Sequence, residues 1–250
     1  MRIRRVLACL VLGLGLCAAA RADVLIAGAP GTAGWLDDVV AKIKAVGIVP
    51  GNIDKFYINT GTPTVQQLSQ YAAVMVFTDA GAQNATLLGD NVAAYNDAGG
   101  GVVQAVFSWH TSIPLGGRWQ SGGYSPLNYA TQSSGVRLFL GTKHLPNHPV
   151  LANVNAFDGG SASYHNNGGL AAGAVLIADW TNGQPLIAER TGKTGRIIGL
   201  NFYPPSSDAR SDFWLASTDG GRMMANALVY VPEPATIGLL ALGMLALRRR

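Results

Sequence analysis

The residues with the clearest potential for chemistry follow an apolar segment in the middle of the chain. Ser108 and His110 are two positions apart, so on an extended segment their side chains point the same way. Asp79 follows another apolar segment, and with it the pair could form a Ser-His-Asp group for nucleophilic hydrolysis. However, the serine lacks the G-x-S-x-G turn that exposes such a nucleophile. The sequence therefore favours a polar strand end, and a secreted hydrolase is the alternative.

The histidines of the later part of the chain are a second candidate for chemistry. His144, His148 and His165, together with Asp158, could bind a metal ion that assists hydrolysis. His144 and His148 flank Leu145-Pro146-Asn147, so they do not share a helical face as an H-x-x-x-H pair would. We therefore favour histidines in solvated loops, and we predict neither a metal nor another cofactor.

A long aromatic loop between positions 109 and 129 could bind a ligand instead. Its aromatic residues alternate with Gly, Ser and Pro, and aromatic side chains with a polar rim are frequent at binding surfaces. A sugar could stack on such a surface. The predicted ligand-binding residues are Trp109, His110, Arg118, Trp119 and Tyr124, with Tyr129 close by. The alternative is a small satellite core beneath the loop.

Two further motifs favour structural roles. Asp208, Arg210 and Asp212, beside Phe213-Trp214, are typical of an ion-paired loop that covers a sheet. The early glycines are spaced G-x-x-G-x-x-G, which departs from the dinucleotide fingerprint, and no P-loop lysine follows them. The sequence therefore argues against a nucleotide site.

Alternating apolar segments and helical patterns must position these residues. Strands are predicted over 24–29, 55–58, 73–77, 102–107, 174–180, 185–188 and 196–201, and helices over 35–46, from 62, 84–98 and 222–230. Strands that alternate with helices at this spacing indicate βαβ units and a parallel sheet covered on both faces. Asn182-Gly183 predicts a hairpin near the carboxyl end.

Charge and cysteine content exclude several classes of function. The formal charge of the 250 residues is +4, but the two terminal segments hold seven arginines and one glutamate. The rest of the chain has 11 basic and 13 acidic side chains, a net charge of −2, so no basic face for nucleic acid is expected. Both cysteines, Cys9 and Cys17, lie in the first segment, which leaves the body without a thiol nucleophile or a disulfide.

Residues 1–22 are predicted to be a secretory signal peptide. A basic start precedes an apolar run, and Ala20-Arg21-Ala22 provides an A-x-A cleavage site, with the cut expected between Ala22 and Asp23. The alternatives are an uncleaved membrane anchor and a lipoprotein signal at Cys17. The apolar run is short for a membrane span.

The C-terminal segment, 232–250, carries the most specific pattern of the chain. Pro232, Glu233 and Pro234 precede an apolar run over 235–247, and Arg248, Arg249 and Arg250 follow it. A helix over that run is roughly 20 Å long, shorter than a hydrocarbon core of about 30 Å, so it is a marginal anchor with arginines on the cytoplasmic side. The arrangement resembles the PEP-CTERM sorting tail of exported Gram-negative bacterial proteins. The resemblance implies transient membrane insertion, cleavage by an exosortase, which is a membrane-embedded cysteine protease, and release to the cell surface or extracellular matrix.

The body, residues 23–231, resembles the class I glutamine amidotransferase-like superfamily, particularly its trehalose-utilisation-like branch. The resemblance rests on the segments 99–103, 148–150 and 195–198. It implies an α/β, flavodoxin-like three-layer sandwich with a mainly parallel sheet. The nucleophilic cysteine of the amidotransferases is missing, and the histidine that often ends the branch's glycine-led strand is replaced by Val106. We therefore predict a surface- or matrix-sorted domain that is not catalytic and binds a carbohydrate or matrix component; a structural matrix protein is a further alternative.

Overall fold

The computed structural model describes residues 23–232, and the predicted signal peptide, its cleavage after Ala22, and Glu233 to Arg250 lie outside the described residues. The core of the fold is an eight-stranded sheet with the order β2-β1-β3-β4-β10-β9-β8-β6, and β5 and β7 form a separate pair. The strands are β1 (Val24–Ala29), β2 (Ile53–Tyr57), β3 (Ala73–Thr78), β4 (Gly101–Ala105), β5 (Gln132–Ser133), β6 (Leu140–Lys143), β7 (His165–Asn166), β8 (Ala174–Trp180), β9 (Pro185–Arg190) and β10 (Ile197–Leu200).

Five neighbouring strands form the parallel half of the sheet. β2, β1, β3, β4 and β10 pair in parallel, whereas β9, β8 and β6 extend the sheet with antiparallel pairs. Strands β1, β3, β4 and β10 are buried along their whole length, which explains why their sequences lack polar alternation. The parallel order corresponds to the 2-1-3-4-5 order of flavodoxin-like folds, so the predicted fold class is confirmed.

Helices cover both faces of the sheet and complete the three layers. They are α1 (Trp35–Val46), α2 (Val65–Leu68), α3 (Ala85–Asp97), α4 (Gly117–Ser121) and α5 (Gly220–Tyr230), with a 3₁₀ turn at Pro149–Leu151. α1 and α5 pack together on one face over a large apolar core. α2, α3 and α4 lie on the other face, over a second core.

Several predicted elements are confirmed, together with the signals that end them. β1 and α1 have the predicted bounds, and α1 ends at Gly47, whose φ of 72° is left-handed. Asn84 caps α3, since its side chain accepts a hydrogen bond from the backbone N–H of Leu87 at 2.9 Å. The turn at Asn182-Gly183 joins β8 to β9 as an antiparallel hairpin.

Three predicted elements differ from the structure. α2 is a single turn that begins at Val65, because Thr64 caps it in a capping box with Gln67 and the proline at 63 lies before the helix. β4 ends at Ala105, and the chain turns immediately, so Ser108 and Trp109 are not on an extended strand. The aromatic loop contains α4, which packs against α3. Within residues 23–232, no helix is long and apolar enough to cross a membrane.

Candidate binding site at the carboxyl edge of the sheet

The predicted Ser-His-Asp group is not assembled. Ser108 is fully buried, and its hydroxyl donates to the backbone oxygen of Ala105 at 2.6 Å. His110 accepts from the backbone N–H of Ser112 through Nδ1 at 3.1 Å. Because the chain turns after β4, the two side chains do not share one side of a strand, and no hydrogen bond between the described side chains joins them. The Ser108–His110–Asp79 arrangement that the hydrolase alternative requires is therefore not present in the described residues.

The structure does not bring together the loop histidines of the predicted metal-site alternative. His144 contacts Asp179 at 2.9 Å, and His148 contacts Glu189 at 3.3 Å. His165 is buried beside the backbone oxygen of Ser163. Within residues 23–232, no three His, Cys, Asp or Glu side chains converge closely enough to hold a metal ion. The three histidines therefore serve three separate contacts.

The aromatic residues of the long loop are buried in the two cores of the fold rather than exposed as a stacking surface: Trp109 belongs to the core under α1 and α5, and Trp119 and Tyr124 belong to the core under α2, α3 and α4. Trp109 and Trp119 are 0 % exposed, and Tyr124 is 5 % exposed. The indole of Trp109 donates to Ser125 at 2.7 Å, and that of Trp119 donates to Gln104 at 2.9 Å. These hydrogen bonds satisfy the polar end of each buried indole. The structure therefore corrects the prediction that these three rings bind a ligand directly.

Arg118 and Tyr124 lie at the border of the core under α2, α3 and α4. The hydroxyl of Tyr124 donates to Asp97 at 2.7 Å, and the guanidinium of Arg118 donates to the same carboxylate, also at 2.7 Å. The hydrogen bond from Tyr124, followed by that from Arg118, holds the pKa of Asp97 below its usual value. Tyr124 stacks on Trp119 with centroids 5.2 Å apart. Both side chains thus fasten the loop to α3.

A different aromatic group lies at the carboxyl edge of the parallel strands. We call it the edge cluster, and its rings belong to Trp35, Phe107, Tyr164, Tyr203 and Phe213. Trp35 and Phe213 meet edge to face at 5.1 Å, Tyr203 and Phe213 at 5.0 Å, and Phe107 and Tyr164 at 5.1 Å. Such edge-to-face contacts are favourable ring geometries. The cluster lies where ligands bind in open parallel sheets.

The rings of the edge cluster form a buried floor and a partly exposed rim. Phe107, Tyr203 and Phe213 are 5 %, 3 % and 2 % exposed. Trp35 and Tyr164 are half-buried, and Arg210 is exposed beside them. The cavity beneath, next to Tyr164 and Tyr203, measures only about 10 Å³, which is room for a single water molecule. A ligand could therefore lie across the rim but could not enter a pocket.

Arg210 supplies the polar part of the rim. Its guanidinium donates to both oxygens of Asp212, at 2.5 and 2.6 Å, and to the hydroxyl of Tyr164 at 2.9 Å. It also lies 4.3 Å from the ring centroid of Phe213 and 5.6 Å from that of Trp35. The hydrogen bond from Arg210 lowers the pKa of Asp212, so this pair stays ionised at neutral pH. Of the three charged residues predicted to form an ion-paired loop, Arg210 and Asp212 pair with each other beside the edge cluster, whereas Asp208 pairs with Lys42 of α1.

Asp79 is hydrogen-bonded to the buried floor of the edge cluster. It accepts hydrogen bonds from the hydroxyl of Tyr203 at 2.9 Å and from the backbone N–H of Gly31 at 3.1 Å. Burial, and then the neighbouring Asp79, raise the pKa of Tyr203 well above its usual range, so the hydroxyl keeps its proton and acts as a donor. Asp79 therefore positions the buried floor, and no hydrogen bond within the described residues joins it to Ser108 or His110.

Sequence comparisons identify the end of the chain. Residues 231–250 match the PEP-CTERM protein-sorting motif. The resemblance predicted for Pro232 to Arg250 is thus confirmed. The sorting motif implies export, anchoring through the C-terminal tail and an exosortase as the processing partner. No curated protein matches the sequence.

The body is similar in fold to solved structures of ThuA-like and amidotransferase-like proteins. A ThuA-like protein from Bacteroides uniformis superposes with a TM-score of 0.60 and 14% identity, over 86% of this chain and 92% of the other. A ThuA-like protein from Parabacteroides merdae gives 0.55 and 13% identity, over 84% and 89%. A GMP synthase protein from Thermoplasma acidophilum gives 0.50 and 9% identity, over 83% and 92%. At these identities the likeness shows the fold alone.

Sequence reasoning missed most of the edge cluster. Trp35 begins the helix after β1, and Tyr203 follows β10 by three residues. A search for aromatic residues shortly after every predicted strand would therefore find both. Tyr164 lies in the excursion between β4 and β8, and no sequence pattern places it beside them. The sorting motif, in contrast, can be identified from the sequence because its residues lie in one continuous segment.

Proposed function

We propose that the protein is exported, anchored transiently by its sorting tail, cut by an exosortase and released to the cell surface or matrix. There its α/β domain binds a carbohydrate or a related matrix component without catalysis. The observation that carries the binding proposal is the half-exposed pair Trp35 and Tyr164, which flanks the Arg210–Asp212 ion pair at the carboxyl edge of the sheet.

The tail makes the first prediction. Protein released from the native host is expected to lack residues 235–250, because a helix over the thirteen-residue apolar run 235–247 would be too short for a stable permanent anchor. Intact-mass measurement of the released protein checks this. The same chain from a host strain without the exosortase is the control and should keep its tail. A complete tail on the released protein would contradict processing.

The shape of the edge cluster supports an extended ligand. Pockets for small molecules usually enclose several hundred cubic ångströms, whereas the cavity here is about 10 Å³. A polymer that lies across the surface does not need a pocket. Trp35 and Tyr164 present flat apolar ring surface, while Arg210, Asp212 and the Tyr164 hydroxyl can exchange hydrogen bonds with sugar hydroxyls. This combination suits a polysaccharide.

Substitutions in the rim make the second prediction. Trp35→Ala and Tyr164→Ala are each expected to weaken binding to polysaccharide isolated from the host matrix. The loss of one stacked ring costs about 0.5–1.5 kcal/mol beyond its buried area, which corresponds to roughly a 2- to 10-fold higher Kd. Affinity electrophoresis through a gel that contains the polysaccharide measures this change, and melting curves verify that each variant is folded.

Phe139→Ala is the matched control for the rim variants. Phe139 is 44 % exposed, lies outside the edge cluster and also has an arginine above its ring, with the guanidinium of Arg137 at 5.8 Å. Its replacement should leave mobility in the gel unchanged. If the wild-type protein shows no retardation on any matrix polysaccharide, the binding proposal is wrong, and a structural matrix protein becomes the better interpretation.

A further inference from the structure

The sorting motif begins directly at the folded body, without a linker. α5 ends at Tyr230, and Val231 is 0 % exposed, with its N–H donating to the backbone oxygen of Ala227 at 3.0 Å. Gly101 lies against it so closely that an added Cβ would be 2.6 Å from the carbonyl carbon of Val231. The chain is therefore held in place up to Pro232, which is the first residue of the Pro-Glu-Pro motif.

The distance from this fixed point to the membrane is short. The apolar run of the tail begins at position 235, three residues after Pro232. Even a fully extended chain covers only about 3.3–3.6 Å per residue, so Pro232 lies within roughly 10 Å of the hydrocarbon when the tail is inserted. The headgroup layer on each side of a bilayer is about 5–8 Å thick. Anchoring therefore brings the end of α5 to the headgroups.

The short tail strengthens this constraint. A helix over its thirteen-residue apolar run would be roughly 20 Å long, against a hydrocarbon core of about 30 Å. A span that is too short draws its flanking residues towards the bilayer or thins the bilayer locally. Either response moves Pro232 and the surface around it closer to the lipid.

The surface around Pro232 has the composition that a bilayer surface favours. It contains an open groove of about 480 Å³. Residues that line it are Ile48, Pro149, Arg196, Val229, Tyr230 and Pro232. Ile48 and Val229 are 40 % and 44 % exposed, and both line the groove together with Pro232. The groove thus places two exposed apolar side chains near the point where the tail leaves.

The polar residues of the groove also suit a phospholipid surface. Arg196 is the only charged residue among the described residues that line it. Its guanidinium lies 4.7 Å from the ring centroid of Tyr230 and donates to the backbone oxygen of Tyr230 at 3.0 Å. Tyrosine is enriched at membrane interfaces, and a cation there can meet lipid phosphates. No carboxylate is among the lining residues, and the Glu189 carboxylate that accepts from the hydroxyl of Tyr230 at 3.0 Å is half-buried.

We propose that, in the anchored precursor, the face formed by Ile48, Val229, Tyr230 and Arg196 docks on the phospholipid surface of the membrane. The docked orientation turns the carboxyl end of α5 towards the bilayer and presents the Pro-Glu-Pro motif at the level where a membrane-embedded protease works. This inference rests on the anchoring part of the proposed function and is independent of carbohydrate binding.

Fluorescence quenching by labelled lipids tests the docking. The precursor expected after cleavage of the signal peptide, residues 23–250, contains no cysteine and receives one by Ile48→Cys, by Val229→Cys or, as the control, by Val136→Cys. Val136 is 65 % exposed and lies in the loop between β5 and β6, outside the groove. Each variant carries an environment-sensitive fluorophore and is reconstituted into phosphatidylethanolamine–phosphatidylglycerol vesicles that contain lipids with nitroxide headgroups.

We expect several-fold stronger quenching at positions 48 and 229 than at position 136. Equal quenching at the three positions, in chains that float with the vesicles, would overturn the docking and leave anchoring intact. Chains that remain in the soluble fraction would overturn anchoring, and the docking with it. Melting curves of the labelled variants verify that each exposed position accepts the label without loss of the fold.

Discussion

Trp119→Ala is expected to lower the free energy of unfolding by about 3–5 kcal/mol, the usual cost of removing a fully buried tryptophan. The indole is 0 % exposed and stacks on Tyr124 at 5.2 Å, so its removal opens a cavity between α3 and α4. It also donates to Gln104, which is 0 % exposed and would lose this hydrogen bond. Chemical denaturation of the wild type and the variant measures the difference.

Two matched variants distinguish a packing role of Trp119 from a role in ligand binding. Trp119→Phe keeps a stacked ring but loses the donor to Gln104, so it should be less destabilising than Trp119→Ala. Arg118→Ala changes an exposed neighbour on the same helix and should alter the free energy of unfolding by no more than roughly 0.5–1 kcal/mol. If Trp119→Ala instead kept full stability and abolished polysaccharide binding, the loop aromatics would be a ligand surface after all.

The parallel half of the fold could be predicted because its signals are local. β1, β3 and β10 are almost entirely apolar segments. Gly47 marks the carboxyl end of α1, and Asn84 marks the start of α3. Each signal needs only the physics of one segment: burial on both faces, a left-handed C-cap, a side-chain N-cap. The hairpin between β8 and β9 follows from its Asn-Gly turn in the same way.

The candidate site could not be predicted because it depends on which way the chain turns. The chain turns after Ala105, and this turn places Trp109 in the core. On an extended strand, its neighbours Ser108 and His110 would instead lie at the carboxyl edge of the sheet. Tryptophan and tyrosine pack equally well in a core or on a binding surface, so residue type alone does not decide between them. The edge cluster brings Trp35, Tyr164 and Phe213 together from distant parts of the chain, and nothing local records those contacts.

A buried side chain directly after β10 helps to hold the segment between β4 and β8 against the sheet. Asn201, directly after β10, is 0 % exposed. Its Oδ1 accepts from the backbone N–H of Asn166 at 2.7 Å, and its Nδ2 donates to the backbone oxygens of Asn166 at 3.0 Å and Pro185 at 2.7 Å. Because Asn166 is two residues from Tyr164, these hydrogen bonds also fix the position of the rim of the edge cluster.

Asn201→Ala is therefore expected to destabilise the protein by about 3–5 kcal/mol, because each buried backbone group that loses its partner costs roughly 1–3 kcal/mol. Asn201→Asp is the informative companion, since a carboxylate can still accept from Asn166 but cannot donate to the two backbone oxygens, and it buries a charge. Denaturation curves should rank the wild type above both variants. At temperatures where Asn201→Ala remains folded, its binding to polysaccharide should also be weaker than that of the wild type, because Tyr164 loses its support. Unchanged stability in both variants would show that the excursion is held by other contacts and that the rim does not depend on Asn201.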